Sequence, residues 1–372
     1  MRLLIIARPF VFHGGVEHAT AGLVQALVEH GYDVHLASPP GQPPISGATL
    51  HRLPVPPLPA VGRVLALAVA ARRLVARGGW DVVQSHERTL CQQIYRAGEG
   101  CHRAYLASRD RPAARGLYHR VVLALERRVF ERTLRIVAIA RAGKREIETL
   151  YHVDPGRVSV VYNGVDLERF HPRHRAALRP AAREEAGIPA RAWAVLFVGS
   201  GFERKGLAAA IEALAALEDR ASRLLVVGKG DTAPYGALAA RLGLTERVMW
   251  LGPRPDIERW YAAADVCVLP TRYEPFGNVH LEALASGLAV VTSLLAGGSE
   301  VVRPGVNGAV TDPRDPRAVA AALQAVRDLS PSRAAEMAAA ARASAEPFTY
   351  AAQVAALGRL YAECVAGRAH LS

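Results

Sequence analysis

Cysteine is scarce and scattered. Cys91, Cys101, Cys267 and Cys364 form no C-x-x-C pair and no metal-ligand spacing. That leaves no disulfide framework and reads as reduced thiols, a pattern that favours the cytoplasm. Long apolar runs are missing too. The opening MRLLIIARPF loses its apolar character after Ala7, too early for a signal-peptide core. VLALAVAA at 64–71 ends at Arg72 and Arg73, far short of the roughly 20 apolar residues that span a bilayer. The chain is expected to be soluble or peripheral to a membrane. No D-x-D pair or spaced histidine cluster supports a metal site. Neither G-x-G-x-x-G nor G-x-x-x-x-G-K-[ST] occurs, so the common dinucleotide and P-loop fingerprints are absent. No aromatic-rich platform is present, which argues against nucleic acid as a partner.

What is present is length, positive charge and a regular alternation. At 372 residues the chain is too long for one average domain, so two are the starting expectation. Lys and Arg outnumber Asp and Glu by 12, which favours anionic partners or serves solubility. Short β-rich runs alternate with Ala/Leu-rich segments of helical period throughout. Strands are expected at 3–7, 32–37, 81–85, 93–97, 136–139 and 159–162, then at 194–198, 223–227, 248–251, 266–269 and 289–292. Most are apolar on every residue, as in parallel sheets covered on both faces. The fold class is therefore α/β, doubly wound. A polar connection, YNGVDLERFHPRHRAALRP at 162–180, separates two such blocks, and the boundary falls near residue 172. Open parallel sheets bind ligands at the carboxyl ends of their strands.

Three stretches sit at such ends. HGGVEH at 13–18 places Gly14 and Gly15 between a strand and a helix, where glycine lets backbone N–H groups approach a ligand. VGSGFERKGL at 198–207 brings Arg204 and Lys205 to the same kind of edge, as solvated loop charges or as an anion contact. TRYEPFGNVHLEALASG at 271–287 carries Glu274 and Glu282 on either side of a turn made by Phe276, Gly277 and Asn278, with Val279 opening a helix. Carboxylates are poorly placed to hold a phosphate. They are well placed to accept hydrogen bonds from sugar hydroxyls, each worth about 1.5–3 kcal/mol. Backbone N–H groups of the turn would hold the phosphate, so a sugar nucleotide satisfies the whole stretch.

Together with VVYNGVDLERFHP (160–172), VVGKGD (226–231) and GGSEVV (297–302), these stretches resemble the family-four (group 1) glycosyltransferases, over essentially the whole chain. That family is retaining and has the GT-B fold, two Rossmann-like domains facing across a cleft. The resemblance implies an acceptor-side domain over 1–172, to which a last helix at about 348–372 crosses back, and a nucleotide-sugar donor domain over 173–347. It implies that Glu274 and the backbone of Phe276, Gly277, Asn278 and Val279 hold the donor sugar and phosphate. Glu282 would bind ribose, Arg204 and Lys205 the departing diphosphate, and Gly15 would admit the donor phosphate. No metal or cofactor is called for; the donor would be a substrate, UDP-glucose. FERKGLAAAIEALAAL at 202–217 is similar to the lipopolysaccharide core glucosyltransferases, which implies a lipopolysaccharide-core-like or other membrane-associated saccharide acceptor. Many family members place a catalytic histidine where this chain has Glu99. The resemblance gives Glu99 a catalytic place beside Glu274, with His86 and His102 as nearby alternatives. The other readings are a GDP-mannose-dependent transferase or a sugar-nucleotide epimerase.

Residues 102–135 hold nine arginines against Asp110, Glu126 and Glu131. Leu117, Val121, Leu125 and Val129 recur there at helical spacing. Such a helix either packs its apolar face on its own domain or docks on an anionic membrane surface. The resemblance favours the second, on the inner face of the cytoplasmic membrane.

Overall fold

The computed structural model describes residues 1–10, 15–109 and 116–369, with backbone alone at 15–18 and 368–369. The chain divides into two compact units. One contains the first strand, Val16–Gly164 and the chain from Tyr350 onward; the other spans Val165–Thr349.

The first unit is built on seven strands: β1 (Arg2–Ile6), β2 (Asp33–Ser38), β3 (Thr49–Arg52), β4 (Val82–Ser85), β5 (Ile94–Ala97), β6 (Arg135–Ala138) and β7 (Val158–Val160). All pairings are parallel, in the order β3-β2-β1-β4-β5-β6-β7. Both faces are covered, which explains the unbroken apolar strands. Leu3 and Ile5 of β1 pack with Leu23 and Leu27 of the helix Gly15–Glu29 and with Val354, Leu357 and Tyr361 of the helix Tyr350–Ala369. Leu4 and Ile6 point the other way, onto Ala70, Ala71 and Leu74 of the helix Ala60–Val75. Further along that side, Tyr95 and Ile136 meet Val129 and Phe130 of the helix Leu117–Arg132.

The second unit has six parallel strands: β8 (Ala194–Val198), β9 (Arg223–Val227), β10 (Val248–Gly252), β11 (Val266–Leu269), β12 (Ala289–Ser293) and β13 (Gly308–Thr311), ordered β10-β9-β8-β11-β12-β13. Its core gathers Val195, Phe197, Leu224, Val226, Val268 and Val291 with Ile211 and Leu214 of the helix Leu207–Ala216. Eleven strands lie within two residues of where the apolar runs put them. β3 and β13 were not foreseen. Both are four-residue edge strands with half-exposed residues, so neither has the apolar run that marks a central strand.

Strand order reverses between β1 and β4 in one sheet and between β8 and β11 in the other. The two chains leaving such a pair of strands part to opposite faces and leave a crevice. At the second reversal the backbones nearly touch. Gly206 has φ +77°, and a Cβ there would lie 1.8 Å from the carbonyl oxygen of Pro270. Gly206→Ala is thus expected to cost at least about 2 kcal/mol, by clash and by backbone strain. Urea denaturation checks this; an unchanged midpoint would refute the close approach.

Candidate functional site

The loop after β8 and the loop after β11 build the charged centre of the second unit. Phe202 is buried and anchors the one-turn helix Phe202–Lys205 in the core. That anchoring aims the next two side chains at the β11 loop. Arg204 Nη1 donates to Glu274 Oε2 at 2.8 Å and to the Tyr273 carbonyl at 2.9 Å. Lys205 Nζ bonds the same carboxylate oxygen. Thr271 Oγ1 donates to the Arg204 carbonyl at 2.9 Å, and Arg272 N does so at 2.9 Å. Burial works to raise the Glu274 carboxyl; Lys205 and Arg204 outweigh it and hold the group at about 2. The structure thus brings Arg204, Lys205 and Glu274, which the sequence put on two separate strand-end loops, into one cluster.

The turn that follows is packed tightly. Gly277 has φ +80°, and a Cβ there would come within 2.9 Å of Glu274 Cγ. Phe276 is fully buried, and Asn278 and Val279 at the start of the helix Val279–Ala285 are largely buried. Glu282, on that helix, accepts a hydrogen bond from Tyr261 OH at 2.7 Å. Sequence reasoning missed His280, which ties the turn together. Its Nδ1 lies 2.7 Å from the Gly277 carbonyl and its Nε2 lies 2.7 Å from Thr292 Oγ1. Burial lowers its imidazole to about 4, so it is neutral in ordinary buffers. Nothing in the spacing of EPFGNVHLEALASG separates this histidine from a helix-face residue.

In the first unit, Glu99 follows β5 and meets residues from two other strand ends. Arg8 Nη1, after β1, bonds Glu99 Oε1 at 2.8 Å, and Arg88 Nη1, after β4, bonds Oε2 at 3.2 Å. Burial pushes the Glu99 carboxyl up, but the Arg8 and Arg88 charges prevail and leave it below the usual carboxylate range. Arg8 also pairs with Glu87 at 2.8 Å. Arg88 is held from behind by the buried Glu126 at 3.0 Å, which also takes the Tyr151 hydroxyl and the His102 backbone N–H. These arginines and Glu126 carried no motif. His86 is buried, 2.8 Å from Gln84 Nε2, and burial followed by the Arg96 charge drives its imidazole well below the usual value. His102 lies 3.0 Å from His119. Gly15 is the first residue of its helix; Gly14 lies outside the described residues.

Of the arginine-rich stretch, residues 110–115 lie outside the described residues. The helix Leu117–Arg132 buries Val122, Leu125, Glu126, Val129 and Phe130. The buried stripe is therefore rotated from the expected one: Leu125 and Val129 belong to it, whereas Leu117 is 66% exposed. No described helix is long and apolar enough to cross a membrane.

Residues 13–169 match the family described as Glycosyltransferase Family 4, and residues 193–328 the one described as Glycosyl transferases group 1. The chain belongs to the group 1 glycosyltransferases of family 4, and is an enzyme of glycosyl transfer. Among its relatives is a D-inositol 3-phosphate glycosyltransferase of Xylanimonas cellulosilytica, 31% identical over 95% of this chain and 93% of that protein. One of the same name from Salinispora arenicola is 33% identical over 94% and 82%. Another, from Thermobispora bispora, is 37% identical, and the match covers 64% of this chain and 58% of that protein. Among solved structures, WaaG, a glycosyltransferase involved in lipopolysaccharide biosynthesis, superposes with TM-score 0.83 at 24% identity over 96% of this chain and 98% of its own. Anabaena HepE in complex with UDP-glucose does so with TM-score 0.77 at 19% identity over 99% and 100%. At such identities the structural likeness shows the GT-B fold. The expected likeness to lipopolysaccharide core enzymes thus holds for the fold, while the sequence relatives carry another acceptor in their names.

The Glu274 cluster gives a pH signature. A folded-state value near 2 against about 4.5 in the unfolded chain stabilises the fold above pH 4.5, and the gain is lost as pH falls through 2. Glu274→Gln is expected to remove this contribution, on the order of 3 kcal/mol. The stability gap between wild type and variant should be flat from pH 7 to 5 and narrow below 4.5. A gap independent of pH down to 2 would refute the ion-pair assignment.

Proposed function

We propose that the protein moves a hexose from a nucleotide sugar to an acceptor hydroxyl, with retention and without a metal ion. The observation that carries this reading is the Arg204–Lys205–Glu274 cluster at the β8/β11 reversal. Two cations fixed by one carboxylate are already oriented, so they can meet the negative charge that grows on a departing diphosphate without reorganising. Backbone N–H groups of Phe276, Gly277, Asn278 and Val279 would take the phosphates, and Gly15 would admit them. Glu274 would accept from the sugar hydroxyls and Glu282 from the ribose. Glu99 would face the sugar as it gains positive character. The departing phosphate would assist deprotonation of the acceptor hydroxyl as it attacks from the same face. No cofactor enters this scheme. The HepE complex with UDP-glucose supports UDP-glucose as donor. The names of the full-length relatives favour a phosphorylated cyclitol as acceptor. A membrane-associated saccharide is the second reading, supported by the arginines around Leu117 and Tyr118, both exposed.

Calorimetric titration with UDP, GDP and ADP in metal-free buffer tests the donor half. UDP is expected to saturate, and Glu282→Ala to weaken it about tenfold or more, the loss of one charge-assisted hydrogen bond. Lys205→Ala is expected to lower turnover of UDP-glucose by roughly 100-fold. Failure of every nucleotide to bind folded protein would overturn the donor site. Sedimentation with vesicles tests the second acceptor reading: anionic vesicles should retain the protein, and equally poor retention by anionic and neutral vesicles would reject it.

A further inference from the structure

We propose that Arg96 is the anion-binding residue of the acceptor site, its guanidinium receiving the phosphate or carboxylate oxygens of the acceptor in the small pocket lined by Ala7, Arg8, Phe10, Thr20, His86 and Gly98. The inference rests on the first unit being the acceptor side.

Arg96 is the third residue of β5 and is 1% exposed. Strand alternation puts it on the same face as Ile94, beneath the helices Gly15–Glu29 and Tyr350–Ala369. Its Nη2 donates to Asn163 Oδ1 at 2.5 Å, while Nε and Nη1 are buried and have no partner. The other two buried arginines among the described residues are treated differently. Arg183 and Arg247 each give two nitrogens to backbone carbonyls and leave one unmet. Arg183 also lies 3.5 Å from Asp265. Those are structural clamps; Arg96 has a single contact and no carboxylate. The titratable groups that bear on it are the phenols of Tyr361 and Tyr350. Burial lowers its guanidinium to about 10, which keeps the positive charge at neutral pH.

The pocket's other charged side chains are paired in a network of their own, in which Arg8 and Arg88 serve Glu87, Glu99 and the buried Glu126. Glu87 and Glu99 both bind Arg8, and Glu99 also binds Arg88. His86 is neutral beside them. Arg96 stands outside that network, a desolvated cation with two donor nitrogens unused. A buried guanidinium with no direct ion-pair partner and unmet donors is costly to keep. A planar fork with two free donors fits an oxyanion bidentately. The chain also leaves room in front of it: a Cβ on Gly98 would lie 2.5 Å from Arg96 Nη1. The pocket opens where β1, β4 and β5 end, beside Glu99, which is where the acceptor hydroxyl must come.

The test uses inorganic phosphate and acetate as probes, on the full chain with the donor site filled by saturating UDP. Binding of UDP is measured first, so a failed donor reading is seen before phosphate is added. Wild type is expected to show a further saturable phosphate event and a matching rise in Tm, with acetate weaker. Arg96→Met should lose that event, bind UDP within twofold of wild type, and melt no lower than wild type in anion-free buffer, since it removes an unpaired buried charge. Arg96→Lys should weaken phosphate about tenfold. No saturable phosphate or acetate event in wild type would overturn the proposal, whatever the variants do. So would an undiminished event in Arg96→Met. A tenfold loss of UDP affinity in Arg96→Met would assign the anion to the donor instead.

Discussion

Parallel strands covered by helices on both faces constrain everything else in this protein. Their side chains have nowhere to go but into apolar packing, and their backbone groups are consumed by the ladders. Chemistry is pushed to the carboxyl ends, where the chain must turn and polar side chains can meet. In each sheet the functional candidates come from the loops on either side of the order reversal: Arg8, Arg88 and Glu99 after β1, β4 and β5; Arg204, Lys205 and Glu274 after β8 and β11. Arg96 is the exception, a full charge inside a buried strand. Its cost is what marks it.

Both charged clusters follow one electrostatic pattern. A carboxylate lies between two cations, from one loop at Glu274 and from two loops at Glu99, and the attraction outweighs the penalty of burial. Such a triad is rigid in a way a lone charge is not. Each partner is held by the others, and the outer partners are held by the core: Lys205 beside the buried Phe202, Arg88 by the buried Glu126. Preorganisation of this kind is what transfer of a charged leaving group demands.

Glycine supplies the remaining tolerance. Gly206 lets two loop backbones meet, and Gly298 sits where a Cβ would strike His280 Nδ1 and the Phe276 carbonyl at 2.4 Å. The loop Gly297–Val301 is thereby pressed against the turn that carries Phe276 and Gly277. Neutral His280 bridges that turn to β12, so the residues around Glu274 are built on three strands rather than on one flexible loop.

The sequence by itself was enough for the fold class, eleven of the strands and the linear neighbourhoods of Arg204, Lys205, Glu274 and Glu282. Apolar runs and helical period are local properties, set by burial of consecutive residues, and the motif that carries Glu274 is continuous. The edge strands β3 and β13 escaped because half-exposed residues carry no such pattern. The facing of the helix Leu117–Arg132 escaped because Leu117 and Val122 look alike until packing chooses between them. Arg8, Arg88, Glu126, His280 and Arg96 became visible only in three dimensions. Their meaning lies in which distant residues they meet, or, for Arg96, in the partners it does not have. Those are consequences of sheet order and register, which bring together positions far apart along the chain that no spacing rule connects.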